Sequence, residues 1–183
     1  MSGISRLSPA LVLAHMLVLA LSMRSTGADA HSASDAYLTL TAGTAISNST
    51  VIVHGQWDIA LRDLDFALTL DDDGDGRLTW GEVRRHQAAI GRYAYGFLHF
   101  DGDAGSSCAV KPTGQMIDDH ADGAYAVLLF DVVCSRKTRK ITLDYTLFFA
   151  MDPSHRGILV MNNLANTASA VLSPQNARIR LAL

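Results

Sequence analysis

The stretch Asp71-Asp72-Asp73-Gly74-Asp75-Gly76-Arg77-Leu78-Thr79-Trp80-Gly81-Glu82 decides how the first half of this chain is organised. Its acids recur at alternate positions, a spacing that lets one turn of backbone wrap several oxygens around a sphere. A hard cation such as calcium wants six to eight oxygen ligands. Asp71, Asp73 and Asp75 offer side-chain oxygens at loop positions 1, 3 and 5. Arg77 offers its backbone carbonyl at position 7, Thr79 a bridging water at position 9, and Glu82 both carboxylate oxygens at position 12. Gly76 falls where the turn is sharpest and the backbone conformation is cheap only for glycine. Leu78 supplies an apolar anchor. The alternative is an acidic surface loop without metal, in which five acids and one arginine repel without compensation.

Every fixed position of the EF-hand template is met, and the flanks read as helices. Trp57 to Leu70 places Phe66, Ala67 and Leu70 on one side, with Asp58 as N-cap. Val83, Ile90, Ala94 and Phe97 share a face of a second helix. His86 and Gln87 stand where such helices usually carry apolar residues, so this helix is expected to pack differently. The predicted helix–loop–helix spans about 58–96. No second loop completes the pattern: Asp101-Gly102-Asp103 lacks a third acid, and a loop begun at Asp118 meets Leu129 at its closing position. Leu78 therefore has no twin in the chain. It is expected to pack within a monomer, the alternatives being a solvated backbone or a dimer contact.

Residues 1–30 read as a secretory signal peptide. Arg6 precedes the apolar run Ala10 to Leu21, and Ala28-Asp29-Ala30 offers a small-x-small cleavage site. An uncleaved anchor is the alternative, although the run is short for a membrane span. Residues 31–183 then form one exported, periplasmic domain, soluble after cleavage. The whole chain carries −3, and its only basic cluster, Arg136-Lys137-Thr138-Arg139-Lys140, reads as a solvated hairpin tip. Nothing points to nucleic acid. Cys108 and Cys134 sit on neighbouring predicted strands and, in an oxidising compartment, form a disulfide more simply than a two-cysteine metal site.

Outside the helical pair the pattern is β. Strands are expected over Ala36 to Thr41, Thr50 to Trp57, Phe97 to Phe100, Cys108 to Met116, Tyr125 to Cys134, Lys140 to Met151 and Ile158 to Met161, with edges at Ala170 to Leu172 and Ala177 to Leu181. Asp118 to Gly123 reads as a wide hairpin. The fold class is α+β: an antiparallel β sandwich or partly open barrel with an inserted EF-hand. Trp57 and Trp80 are both expected to pack the helices onto the sheet.

Asp35-Ala36-Tyr37-Leu38-Thr39-Leu40, Gly55-Gln56-Trp57-Asp58-Ile59-Ala60-Leu61-Arg62-Asp63-Leu64-Asp65, Leu147-Phe148-Phe149, Asp152-Pro153 and His155-Arg156-Gly157 resemble the exported domain associated with HupE/UreJ-type membrane proteins. That resemblance implies an extracytoplasmic β domain beside a metal permease. The permease helices have no counterpart in this sequence, so the implied role is that of an accessory module.

Of the histidines after residue 30, none pairs with another at helical or strand spacing. His31, as a new amino terminus, offers an amine and an imidazole to a transition metal, but a mobile end that binds nothing is the plainer reading. His54 is expected to be half-buried and satisfied, His120 a hairpin-tip residue and His155 a turn residue. No nucleophile elbow, zinc-protease motif or phosphate loop occurs, and no catalytic residue is assigned. The sequence thus predicts an exported calcium-binding protein with one mainly structural loop. A free-standing ligand-binding protein, a calcium sensor and an unrecognised enzyme are the alternatives.

Overall fold

β-branched and aromatic residues build nine strands in the computed structural model, which describes residues 34–43, 50–163 and 165–183. The expected signal peptide and His31 lie outside the described residues. In chain order the elements are β1 (Asp35–Ala42), β2 (Thr50–Ala60), α1 (Leu61–Leu68), α2 (Trp80–Tyr95) and β3 (Leu98–Asp101). There follow β4 (Ala109–His120), β5 (Gly123–Ser135), β6 (Lys140–Tyr145), β7 (Arg156–Asn162), β8 (Thr167–Leu172) and β9 (Arg178–Ala182). One sheet has the order β4-β5-β2-β1-β7-β8 and a smaller one the order β3-β6-β9.

Alternation along the strands makes one core between the sheets. Leu38 and Leu40 of β1, Trp57 and Ile59 of β2, and Phe130 and Val132 of β5 are buried together with Phe100, Leu143 and Tyr145 of the small sheet. Trp57 meets Tyr145 edge-on with ring centroids 5.6 Å apart, and Phe100 lies 6.3 Å from Phe130. The architecture is sandwich-like, and the sheets do not close into a barrel. Cys108 and Cys134 form the expected disulfide, with Cα atoms 4.5 Å apart. It closes a 26-residue separation, worth roughly 3 kcal/mol in the chain-entropy view.

Several expectations are corrected. The pairing is not wholly antiparallel: β1 and β7 run parallel, with Leu38 opposite Leu159. The chain reaches β7 only after crossing to the small sheet, and residue alternation carries no strand direction. Residues 136–139 do not cap a hairpin within one sheet. They pass the chain from β5, paired with β2 and β4, to β6, paired with β3 and β9. Their centre is anchored, since Thr138 is buried and the Asp103 carboxylate accepts the Arg139 and Lys140 N–H groups. The β4–β5 hairpin is tight rather than wide, pairing as far as His120 opposite Gly123. Strand β6 stops at Tyr145, because Thr146 turns its N–H to Phe97 and Phe148 adopts φ 60°.

The first helix also begins later than predicted. Asp58 is no N-cap but a strand residue paired with Tyr37 and Val127, and Ala60 occupies the cap position without a side-chain bond. Two-sided pairing of β2 outweighs the local capping preference. The buried face of α1 is Leu61 and Leu64, while Phe66 is 81% exposed.

Gly55 lies opposite Phe130, and a Cβ there would come within 2.3 Å of the Phe130 ring. The aromatic core therefore needs a bare backbone at this point. Gly55→Ala should lower stability by about 1–3 kcal/mol through overpacking, measured as a reduced urea midpoint. An unchanged midpoint would show that the ring moves aside freely.

Candidate metal centre

The loop between α1 and α2 is shaped by its own carboxylates. Asp65, in the last turn of α1, accepts the N–H groups of Leu70 and Asp71 on one oxygen at 2.7 and 3.0 Å. Thr69, just before them, takes a left-handed conformation with φ 54°. Asp71 then gathers the turn around itself: Oδ1 accepts from Gly74 N–H and Oδ2 from Gly76 N–H, both at 2.8 Å. Gly74 and Gly76 have φ 71° and 77°, the left-handed region that costs glycine little. Asp73 and Asp75 each accept the N–H two residues on, at 3.2 and 2.8 Å, which are Asx turns.

Glu82 closes the loop. One carboxylate oxygen accepts Asp72 N–H at 3.0 Å, and the other accepts the Thr79 N–H and hydroxyl at 2.8 and 2.7 Å. Thr79 Oγ1 in turn accepts Glu82 N–H, so the pair forms a capping box at the start of α2. Glu82 is only 2% exposed. Asp71, Asp73 and Glu82 each present an oxygen within 4.8 Å of the others, a group able to hold a metal ion.

The other predicted ligands are placed differently. Asp75 lies in the loop but outside this triad, its carboxylate taken by Arg77 N–H. Arg77 is exposed, and the Thr79 hydroxyl is committed to Glu82. Hydrogen bonds hold the Asp71 carboxyl below its ordinary range, that from Gly76 first. The Thr79 hydroxyl does the same for Glu82. Asp73 shifts upward. The Asp75 N–H lowers it, but this is outweighed by the Asp75 charge, desolvation, the Glu82 charge and the Asp71 side chain. All the donors are hard oxygens, and nearby negative charge is what a hard cation relieves, so the residues fit calcium chemistry.

Sequence reasoning missed the outer support. Asp72 binds the Arg85 guanidinium at 2.7 Å and His86 Nε2 at 2.8 Å. This position-2 acid thereby ties the loop to the exposed side of α2, and accounts for His86 at one of the two positions where apolar residues are usual. Leu78 is half-buried and packs against the core. Trp80, by contrast, is 58% exposed rather than packed into the core, and stands beside Met116 and Ile117 of β4 at the sheet edge.

The histidines form no metal cluster among the described residues. His54 is exposed and bonded to Asp131, and His120 stacks on Tyr125 with centroids 4.0 Å apart. His155 is fully buried, a role its turn-like context concealed. Its Nδ1 is 2.7 Å from Ser34 Oγ, which donates to Asp63, and its Nε2 is 2.8 Å from the Tyr145 hydroxyl. This chain ties the start of β1 to α1, to β6 and to the approach to β7.

Compared with known proteins, the chain matches no family model and no curated protein sequence.

Burial pushes His155 down to about 4. The fold thus refuses a proton that the unfolded chain takes up near 6.5. Stability should fall as pH drops from about 6.5 towards 4 and then level off for this group, by at most about 3 kcal/mol. Urea midpoints in chelator, compared between the natural chain and His155→Gln, check this. Parallel pH curves would exclude His155 as the source.

Proposed function

We propose that the loop 71–82 is an EF-hand that binds one calcium ion and braces an exported β domain. The observation that carries this reading is the convergence of Asp71, Asp73 and the buried Glu82 within one twelve-residue turn closed by a capping box. Asp75, the Arg77 carbonyl and a water on Thr79 complete the set that the sequence template supplies. Calcium would contribute positive charge where the carboxylates crowd. This chain's own residues hold the geometry through the Asp65, Asp71 and Asp72 bonds.

A structural role is favoured over sensing. Sensor EF-hands work in pairs that open an apolar groove, whereas this loop is single and Leu78 packs inward. An ion that binds the folded chain alone adds about 2.7 kcal/mol at a hundredfold excess over its dissociation constant. The disulfide supports an oxidising, extracytoplasmic setting. Among the described residues no helix is long and apolar enough to cross a membrane. The resemblance to the exported domain of HupE/UreJ-type proteins supports a module acting beside such a permease. Pull-down of the tagged chain from calcium-containing membrane extracts, with no permease recovered, would remove that part.

Calorimetry on chelator-stripped protein should show one calcium bound, with affinity on the order of 10 µM to 1 mM, from the weak limit of sensor sites to that of extracellular modules. Glu82→Gln should weaken it at least tenfold. The melting temperature should rise with calcium in the natural chain and hardly at all in the variant. Absence of calcium heat across that range, or unaltered binding in Glu82→Gln, would defeat the proposal.

A further inference from the structure

A trough runs along α2 beside strand β4. Two cavities of about 170 and 620 Å³ adjoin along it, with Gln87 and Gln115 lining both. Trp80 and Met116 stand at one end, Val83 and Ile117 below them, and Tyr95 and Pro112 at the other. Trp80 and Met116 are 58% and 49% exposed, a costly pairing of large apolar side chains for a surface that touches only water.

The groove exists because of what α2 carries on this side. Gln87, Ala88 and Gly91 line it, where a helix closing onto a strand would carry large apolar residues. At Gly91 an added Cβ would just touch the Gln115 amide oxygen and the Tyr95 ring, each at 3.9 Å. Strand β4 ends its sheet, so along Gly114–His120 alternate backbone N–H and C=O groups face away from β5, with no strand beside them among the described residues. The register of β4 on β5 shifts between Pro112 and Gly114, with regular pairing on either side.

Length and charge narrow the occupant. From Trp80 to Arg92 a helix rises about 18 Å, and from Pro112 to Ile117 a strand extends about 17 Å. Both match an extended segment of about six residues. The rim is cationic: Arg84 and Arg92 line the groove and are exposed, and neither forms an ion pair among the described residues. That is notable in a chain of net charge −3.

We propose that this groove binds an extended peptide segment of a partner protein, with alternating apolar and acidic residues, as an added strand on β4. Its backbone pairs with the open edge of β4. Its apolar side chains, on the face towards α2, enter between Trp80 and Ile117, and its acids, on the outer face, are met by Arg84 and Arg92 from the rim. Strand addition takes affinity from the main chain and specificity from alternate side chains. None of the predicted metal ligands lines this surface.

The test uses the full chain and fluorescein-labelled synthetic peptides of about seven residues. One alternates isoleucine with glutamate, one isoleucine with lysine, and one repeats the first with N-methylated amides that cannot donate hydrogen bonds. Anisotropy should show saturable binding of the glutamate peptide below about 1 mM, with the other two at least tenfold weaker, a difference of about 1.4 kcal/mol. Gly91→Leu should fill the groove and weaken the glutamate peptide at least tenfold while calcium binding and melting stay unchanged. If Gly91→Leu melts early, Arg84→Glu combined with Arg92→Glu provides a surface-only variant with the same expected loss. No saturation by the glutamate peptide, equal binding of the lysine peptide, or binding indifferent to these variants would overturn the proposal. A concentration-dependent dimer in ultracentrifugation, lost in Gly91→Leu, would assign the groove to a second copy and overturn it too. So would capture by anionic vesicles through Arg84 and Arg92 without peptide binding.

Discussion

The carboxylate of Glu82 is the constraint on which the inserted helices depend. It is almost wholly withdrawn from water, and its two oxygens satisfy the Asp72 amide on one side and the Thr79 amide and hydroxyl on the other. A buried carboxylate without such partners is costly, and here each oxygen is met by donors. In meeting them, Glu82 joins the start of the loop to the start of α2, across the length of the loop. Losing its charge alone would leave three donors on weaker acceptors, so the loop's shape and the helix cap would loosen together.

That closure matters because it joins the two helices to each other, which the bonds tying α1 to the start of β1 and Tyr95 of α2 to β5 do not. They interrupt the chain between β2 and β3, strands of different sheets. Leu64 and Leu70 on one side, and Val83, Ile90 and Ala94 on the other, drop into the shared core. Burial fixes which faces look inward, but a non-directional force leaves the angle between two short helices loosely set. The directional bonds of the loop, with Asp72 reaching across to Arg85 and His86, supply what burial does not. A cation held among Asp71, Asp73 and Glu82, as proposed, would reinforce the same closure.

The sequence made the loop, most strands and the disulfide legible for identifiable reasons. Each loop position has its own chemical demand, met by a residue type that does little else there. Strands such as Ile141–Leu143–Tyr145 announce themselves because one face is buried and alternates. Other features depend on partners distant in sequence. Asp58 looks like a helix cap until β1 and β5 pair on either side of it. His155 looks like a turn residue until Ser34, far away in the chain, and Tyr145 close over it. The parallel match of β1 with β7 could not be read, since alternation is the same in either direction. Trp80 was misjudged because hydrophobicity says that a side chain prefers burial, not that the fold provides it.

The exposure of Trp80 links the two halves of the structure. It follows Thr79, the cap residue, and precedes Glu82 by less than one helical turn, so the bonds that close the loop also set where its indole stands. Val83, on the same turn, is part of both the core and the floor of the groove beside β4. A rigid first turn therefore defines one end of that groove without any opening of the helices. This separates two uses of a loop of this kind. In a sensor, metal binding exposes an apolar surface by moving one helix against another. Here the apolar end of the groove already stands open beside the loop's own hydrogen bonds. An ion bound there, as proposed, would hold the turn against fraying, so the same few bonds would serve both the brace for the fold and the edge of the proposed binding surface.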